Sequence, residues 1–305
     1  MGVALGGQEF LMRSMLSERR SQESAADQAG MRYLEATRQS GRGMLATFET
    51  FQQQEYVSAA HQDAFVRSHP VATDRINRLR ELVQQSQYAN VKDPPELQLR
   101  HDLVRAKISG YLEAPQVTYN RYPAKDTSLA ARYARAIARN CSGRCDQAIG
   151  EVDALIREMP DNAYFWEVKG TCLYWSGKHR EALGPLRRAL QLAGGNEPLM
   201  MMALARALLE TQDKAVVEEA VSLLKRTATA EPDNGTAHGL LGNALARKGD
   251  EFQPQAMLAT AQARFAEGNV KEAQIFAKRA IIKLRSGSPE WLRAEDIIKY
   301  KQPRE

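Results

Sequence analysis

The stretch WEVKGTCLYWSGKHREALGPLRRA, residues 166–189, decides the fold of the second half of this chain. It predicts a first helix that contains Gly170, a turn at Gly177, and a second helix that contains Ala182 and Ala189. Small residues at these positions let two helices cross at close range, whereas bulkier side chains would push the helices apart. The stretch therefore predicts a pair of tightly packed helices.

The same pattern of small residues recurs through residues 124–305 at a period of about 34 residues. The recurring positions are, in chain order, Ala136, Gly143, Ala148, Val152 and Pro160; Trp166, Gly170, Gly177, Ala182, Leu186 and Ala189; Met201, Leu204, Ala205, Leu208, Ala220, Leu224 and Pro232; Leu241, Gly242 and Gly249; and Ala261, Gly268, Ala273, Ala277 and Ala280. The pattern resembles the tetratricopeptide repeat, although Arg139 and Leu173 stand where that repeat usually has Tyr. The resemblance implies an α-solenoid of stacked helix pairs.

In a tetratricopeptide-repeat solenoid, the first helix of each pair is expected to line the concave side. Mixed aromatic, Met and polar side chains on that side suit an adaptable peptide-binding groove. For two of the groove residues, Tyr174 and Met202, the alternative is packing between neighbouring repeats. Counted from the repeat pattern, the groove carries Tyr164, Glu167, Thr171, Tyr174, Met202, Arg206 and Asn243.

Composition indicates the class of the protein. With 305 residues the chain has room for about two domains. Abundant Ala, Arg, Leu, Glu and Gln, with few β-branched runs, favour an all-α fold. The formal net charge of +5 falls in the second half and is spread along the predicted helices. It indicates a mild preference for acidic partners, and no nucleic-acid partner is expected.

The sequence shows neither a membrane-spanning segment nor an export signal. No stretch approaches the roughly 18 consecutive apolar residues that a transmembrane helix needs. The start, MGVALGGQEF, lacks a basic region and has too short an apolar run for a signal peptide. Taken literally, these features predict a cytoplasmic chain without a transmembrane segment.

The three cysteines, Cys141, Cys145 and Cys172, indicate little chemistry. Cys141 and Cys145 are close enough in sequence to form a disulfide in an oxidising compartment. A CxxxC pair without a second pair or a nearby His cluster is a weak zinc signal. The alternative is that these cysteines are simply small residues at a turn.

The first half of the chain is organised around SERRSQESAADQAGMRYL, residues 17–34. Glu23, Ala26, Asp27 and Gly30 follow an i, i+3, i+4, i+7 spacing and so share one face of a predicted helix. That face carries two carboxylates among residues with almost no side-chain volume. It predicts a surface that brings carboxylates close to another backbone or to a cation.

The other segments before the repeats also predict helices. These are expected over residues 8–37, from Met44 to about residue 60, from Thr73 or Asp74 through Ser86, and from Pro95 onward with Leu99, Leu103, Ile108 and Leu112 as an apolar stripe. A stretch rich in Pro, Asn and Tyr, residues 114–123, is the expected boundary. It would separate a domain of residues 1–120 from a repeat domain of residues 124–305.

Three short motifs carry a resemblance to a known family. The ESAAD sequence at residues 23–27 resembles the ExxAD helix of the HtpX-like zinc endopeptidases, metallopeptidase family forty-eight. SHP at residues 68–70 and DRI at residues 74–76 resemble that family's His-Pro loop and Arg-Ile helix. Together with the repeats, this ordered set is similar to the periplasmic, repeat-bearing members of the family. Residues 1–120 would then be the C-terminal helical portion of a metalloprotease domain.

The resemblance implies a metal chemistry with named roles. A catalytic Zn²⁺ takes three protein ligands and acidifies a bound water at its fourth position. Glu23 would be the third zinc ligand, and Asp27 would accept a hydrogen bond from a ligand His. His69 would be a regulatory ligand, and Arg75 would support a developing oxyanion. A periplasmic location, unfolded or misassembled protein substrates, and contact with the outer-membrane assembly machinery are also implied.

The sequence departs from the family because it contains no HExxH motif. The family's two His ligands and its general-base Glu are therefore missing, and no catalytic residue is assigned within residues 1–305. Zinc is expected in the complete enzyme and not in this chain alone. Two hypotheses stay open: a C-terminal piece of a longer zinc endopeptidase in outer-membrane protein quality control, or a shortened, non-catalytic repeat protein that binds partners. The five histidines, none followed by Glu, are His61, His69, His101, His179 and His238.

Each site residue also has an ordinary alternative, either a local ion pair or plain exposure to solvent. Local pairs of this kind contribute only about 0.2–0.5 kcal/mol. The alternatives are an ion pair of Glu23 with Arg19 or Arg20, an ion pair of Arg75 with Asp74 or Glu81, a solvated acid at Asp27, and an ordinary loop residue at His69.

Overall fold

The structure is a computed structural model of the chain, and it describes residues 18, 21–55 and 73–301. These residues form helices and turns with no strand among them, so the predicted all-α class is confirmed. The chain divides into two compact units, Met1–Gln98 and Leu99–Glu305. Each unit is built around apolar side chains of its own.

The first unit contains three described helices before residue 90. They are α1 over residues 21–36, α2 over Arg42–Glu55 and α3 over Thr73–Gln85. Ile76, Leu79 and Val83 lie at helical spacing on one face of α3 and are buried. Leu79 and Val83 pack with Met31 of α1, so this small core joins the first and third helices.

The turn before α2 leaves little room beside its glycine. A Cβ at Gly41 would lie 2.6–2.9 Å from side-chain atoms of Met31 and Val83, so a larger residue would have to displace these side chains. The next residue, Arg42, donates from Nε to the Ala89 carbonyl at 2.8 Å. The backbone that follows α3 is thereby held to the turn between α1 and α2.

The second unit is a series of helices. Helix α4 spans Pro95–Leu112 and includes the point of division, and α5 spans Pro115–Arg121. Short 3₁₀ helices, Lys214–Val216 and Asp250–Phe252, come before the second helices of the third and fourth pairs. Five successive pairs complete the unit: α6 Leu129–Cys141 and α7 Cys145–Glu158; α8 Ala163–Trp175 and α9 His179–Leu192; α10 Pro198–Glu210 and α11 Val217–Ala230; α12 Gly235–Lys248 and α13 Gln253–Ala266; α14 Val270–Ile281 and α15 Pro289–Lys299.

Packing in the second unit follows the repeat pattern. Each helix from α6 to α15 packs on the next, and the first helices of the first four pairs also touch one another. The alanines at the repeat positions have no exposed surface, as Ala136, Ala148, Ala182, Ala189 and Ala220 illustrate. The predicted solenoid of stacked helix pairs is therefore confirmed.

Glycines follow α6, α8 and α13 at predicted turns of the repeat pattern. Gly143, Gly177 and Gly268 have φ angles of +72°, +75° and +78°. This left-handed region is open to glycine and costly for residues with a Cβ. The predicted turns thus lie where the sequence places them. The pattern from Ala261 to Ala280 spans α13 and α14, which are the second helix of the fourth pair and the first helix of the fifth.

Close helix crossing explains the glycine inside α8. A Cβ at Gly170 would lie 2.5 Å from Leu186 Cγ and 3.2 Å from the Leu186 backbone nitrogen. Leu186 belongs to α9 and is almost fully buried. The two helices of this pair therefore touch at a point where only glycine fits.

The buried face of α4 differs from the predicted apolar stripe. Ile108 and Leu112 are 54% and 80% exposed, so the prediction is wrong for both of these residues. A Cβ at Gly110 would lie 2.7 Å from Ile137 Cβ, which shows that α4 approaches α6 too closely for a large side chain. The residues of α4 that are buried instead are small: Ala106, Ser109 and Gly110.

The predicted domain boundary contains a short helix. Thr118 of α5 is fully buried, and its Oγ1 donates to the Ser109 carbonyl at 2.9 Å. Helix α5 is thereby fixed to the end of α4, and the compact units divide earlier, after Gln98. The assignment of residues 1–120 to the peptidase part and 124–305 to the repeats stays a prediction.

The contact between α8 and α9 predicts opposite effects for two glycine substitutions. Gly170→Ala should lower the free energy of unfolding by about 1–3 kcal/mol, because the added methyl overfills the crossing. Gly150→Ala should raise the free energy of unfolding by about 0.5–1 kcal/mol, because alanine is the better helix former. Gly150 lies in α7 with no atom within 4 Å of its would-be Cβ. Urea unfolding followed by circular dichroism measures both effects, and equal stabilisation by both variants would contradict the close crossing.

Candidate functional site

The carboxylates of the predicted ligand helix meet one cation, Arg75. Glu23 and Asp27 are one turn apart on α1, and Arg75 lies in the first turn of α3. Asp27 accepts two hydrogen bonds from the guanidinium, from Nε at 2.5 Å and from Nη2 at 2.8 Å. Glu23 Oε2 lies 2.8 Å from Arg75 Nη1. One planar guanidinium therefore holds both carboxylates.

Burial strengthens this cluster. The side chains of Asp27 and Arg75 are only 8% and 15% exposed, and that of Glu23 is 31% exposed. The guanidinium carbon lies 4.8 Å from the centre of the Phe48 ring, which covers one face of the ion. The hydrogen bond with Asp27, aided by the charges of both carboxylates, raises the pKa of Arg75 above its ordinary value. The raised pKa favours the charged guanidinium, which faces two acidic side chains.

The other two residues of the predicted α1 face, Ala26 and Gly30, do not share one environment. Ala26 is exposed, whereas Gly30 is half-buried. A Cβ at Gly30 would lie 3.3 Å from Met44 Cε, so α2 passes close to this residue. Of the four residues on the face, Asp27 points to Arg75, Gly30 faces Met44, and Ala26 is open to solvent.

The described residues do not form a zinc centre by themselves. A catalytic zinc site takes three protein ligands. No group of three His, Cys, Asp or Glu side chains in residues 18, 21–55 and 73–301 is arranged to hold a metal ion. The carboxylates are engaged by Arg75, which supplies the positive charge that a metal would otherwise supply. The role of Glu23 as a third zinc ligand stays a prediction.

The other residues of the predicted zinc centre, Asp27, Arg75 and His69, have different outcomes. Asp27 is a buried ion-pair partner and not a solvated acid. Arg75 engages α1, and its proposed oxyanion role stays a prediction. His69 lies outside the described residues. The sequence had not singled out Phe48, which no motif marks.

Three predicted groove residues of α8 already contact other parts of the second unit. Glu167 Oε2 lies 2.7 Å from Lys107 Nζ of α4. The same ammonium lies 4.2 Å from the centre of the Tyr164 ring. Thr171 Oγ1 accepts a hydrogen bond from Asn140 Nδ2 at 3.3 Å. No sequence pattern marks Lys107 as a partner of α8.

The remaining groove residues lie farther along the repeats. Tyr174 is half-buried and its ring packs against Trp175 and His179, with centroids 5.0 and 5.3 Å away. Met202 is half-buried against the apolar core of the repeats. Both residues therefore pack against the apolar core while keeping part of their surface open, and their place in a peptide-binding groove stays a prediction. Arg206 is half-buried, and Asn243 is exposed and accepts a hydrogen bond from Arg247 Nε at 2.9 Å.

The cysteines form neither a disulfide nor a metal site among the described residues. Cys141 is exposed, whereas Cys145 and Cys172 are buried in one apolar cluster. Burial and the neighbouring Cys145 thiol raise the pKa of Cys172, which makes it a poor nucleophile. Among the described helices, none combines the length and apolar character needed to cross a membrane.

The Arg75 cluster predicts a strong energetic coupling between α1 and α3. A double-mutant cycle with Asp27→Asn and Arg75→Met should give about 2 kcal/mol of coupling, because charge-assisted hydrogen bonds at low exposure are strong. Hydrogen exchange of the amides of residues 24–34 and 76–83 measures this coupling energy in α1 and α3. The matched control is the pair Glu49 and Arg80, with both side chains more than 40% exposed and 2.8 Å apart. Coupling there should be below about 1 kcal/mol, and equal values for the two pairs would contradict the prediction.

Comparisons with known proteins find matches in both halves of the chain. Residues 3–83 match the model of Peptidase family M48, and residues 133–197 match that of the Tetratricopeptide repeat. The chain is 25% identical over 309 residues to the Beta-barrel assembly-enhancing protease of Yersinia pestis. That match covers 90% of this chain and 62% of the relative, so the chain spans less than two thirds of the relative's length.

Among solved structures, MamA MSR-1 C2 aligns with a TM-score of 0.44 at 20% sequence identity, over 58% of this chain and 98% of that structure. The sequence comparisons bear out the family resemblance in both halves. This chain therefore joins Peptidase family M48 sequence to tetratricopeptide repeats.

Proposed function

We propose that this chain supplies the carboxylate helix and the substrate-binding repeats of a zinc-dependent endopeptidase in envelope protein quality control. One observation carries the proposal: Glu23 and Asp27 are held side by side by Arg75, within residues that match Peptidase family M48. A ligand carboxylate must present its oxygens from a rigid element, and the Arg75 contacts rigidify α1 at that point. The relative from Yersinia pestis, named a beta-barrel assembly-enhancing protease, supports the same proposal.

The proposal divides the chemistry between this chain and residues outside it. Zn²⁺ would be held in the complete enzyme by Glu23 together with His ligands of an HExxH motif, which residues 1–305 do not contain. We therefore assign no step of peptide hydrolysis to this chain. Its own residues would orient one ligand carboxylate and bind the polypeptide to be cut.

The repeats would bind unfolded or misassembled outer-membrane proteins, or the machinery that assembles them, in the periplasm. Met202 and Arg206 on α10 offer an apolar and a cationic contact side by side, which suits a flexible polypeptide with apolar and acidic side chains. The positive charge of the second half of the chain favours acidic partners in the same way.

A second candidate is a non-catalytic repeat protein that binds partners. The observation that favours it is that Arg75 contacts both carboxylates, because the guanidinium stabilises them without a metal ion. The genomic sequence upstream of the Met1 codon separates the two candidates. An in-frame HExxH motif and signal peptide support the endopeptidase, whereas an in-frame stop codon followed by a ribosome-binding site supports the binding protein.

Both candidates predict that residues 1–305 alone hold no stoichiometric zinc. The purified chain should contain far less than one zinc ion per molecule by mass spectrometry, and it should show no chelator-sensitive cleavage of casein. Glu23→Gln is the control and should change neither result. One zinc ion per chain that is lost in Glu23→Gln would show that these residues assemble a metal centre unaided.

The binding role of the repeats predicts a loss of affinity on removal of the groove cation. Arg206→Ser should weaken the binding of fluorescein-labelled casein about tenfold, which corresponds to about 1.4 kcal/mol. Fluorescence anisotropy measures the affinity. Arg180→Ser is the matched control, because Arg180 is an exposed arginine on α9, the second helix of its pair. Equal affinities of both variants and the unmodified chain would contradict a binding role for the groove.

A further inference from the structure

The repeat period allows the concave groove to be followed from one helix pair to the next. The small residues Ala136, Gly170, Ala205 and Gly242 occupy equivalent places in the first helices of the first four pairs. Two series of groove positions follow by counting from them. Three residues earlier stand Tyr133, Glu167, Met202 and Gly239, and one residue later stand Ile137, Thr171, Arg206 and Asn243.

Exposure rises along both series. In the first pair, Tyr133 and Ile137 are 1% and 0% exposed. In the second and third pairs the equivalent residues are half-buried, and in the fourth pair Gly239 and Asn243 are exposed. The groove is therefore closed at its first pair and open at its fourth.

Helix α4 closes the groove at the first pair. Its Ala106 has no exposed surface and belongs to the same apolar cluster as Tyr133 and Ile137. Its Gly110 comes so close to α6 that a Cβ would lie 2.7 Å from Ile137 Cβ. The small residues of α4 thus pack directly on the groove positions of the first pair.

The same helix extends to the second pair through two larger side chains. Lys107 Nζ lies 2.7 Å from Glu167 Oε2 and 4.2 Å from the centre of the Tyr164 ring, and both of these residues belong to α8. Tyr111 is 38% exposed and lies near Glu167 and Thr171, and partial burial together with the Glu167 charge raises the pKa of its phenol. Each of these α8 residues is one that the sequence predicted to line a free groove.

We infer that α4 is the resident occupant of the groove in the first two helix pairs, and that a polypeptide partner binds only at the third and fourth pairs. This inference rests on the proposed binding function of the repeats. The free part of the groove presents Met202, Arg206 and Asn243. Its partner is an extended polypeptide with apolar and acidic side chains, because these complement a thioether, a guanidinium and an amide.

Equivalent positions in the covered and free parts of the groove provide matched variants. Met202→Ala and Arg206→Ala should each weaken the binding of fluorescein-labelled casein about tenfold in anisotropy measurements. Thr171→Ala changes the residue of the second pair that is equivalent to Arg206 and should leave the affinity within about twofold of the unmodified chain, which is less than about 0.5 kcal/mol.

The possible results separate the inference from the proposed function. A comparable loss of affinity in the covered and free variants overturns the inference while leaving the binding function intact. No binding by the unmodified chain, or no effect in either set, contradicts the proposed function, and the position of α4 is then decided by an experiment that needs no partner.

That experiment exchanges the charges between α4 and α8. Lys107→Glu places two carboxylates together and should speed hydrogen exchange of the amides of residues 103–112 at least tenfold. Combining Lys107→Glu with Glu167→Lys should restore most of the protection, because the ion pair is rebuilt in reverse. The charge-neutral Lys107→Met variant serves as a control for the loss of the ion pair alone and should have an intermediate effect. Unchanged exchange in Lys107→Glu, or no recovery in the double variant, overturns the inference.

Discussion

Close approach of helices at small residues is the constraint on which the second unit depends. Where Gly170 meets Leu186, and where Gly110 meets Ile137, no side chain larger than hydrogen fits between the two helices. The first contact sets the geometry within a helix pair, and the second fixes α4 against the first pair. Protein interiors are packed too densely to absorb even one extra methyl without movement. A larger residue at either glycine would therefore displace the two helices that meet there.

In the first unit the corresponding constraint is electrostatic. Two acids one turn apart on α1 repel each other, and Asp27 is buried where water cannot screen its charge. Arg75 resolves this conflict because its planar guanidinium can bond both carboxylates at once while its face rests on Phe48. The same arrangement explains how the helix can be fixed in the absence of a metal ion. It also fits the proposed role in a larger enzyme, since a positioned carboxylate is what a metal centre requires.

The groove of the repeats combines both kinds of contact. Helix α4 packs on the first pair through small apolar residues and holds the second pair through the ion pair of Lys107 with Glu167. Large apolar side chains on the same helix, such as Ile108 and Leu112, remain exposed. The usual expectation that large apolar residues mark the core therefore reverses on this helix, because the available space next to α6 admits only small residues.

The sequence alone determined the helical class and the repeat turns and carried the family resemblance, because each depends on the spacing of residues within short segments of the chain. Gly143 and Gly177 mark turns by their backbone requirement, and the ESAAD motif brings Glu23 and Asp27 to one helix face by helical periodicity. Only the tertiary structure decided that Arg75 joins these two acids, since the residues lie far apart in sequence and no local pattern links them. Likewise, only the packed structure showed that α4 lies directly on α6, because the fit of Gly110 against Ile137 is a property of two helices in space and not of either sequence.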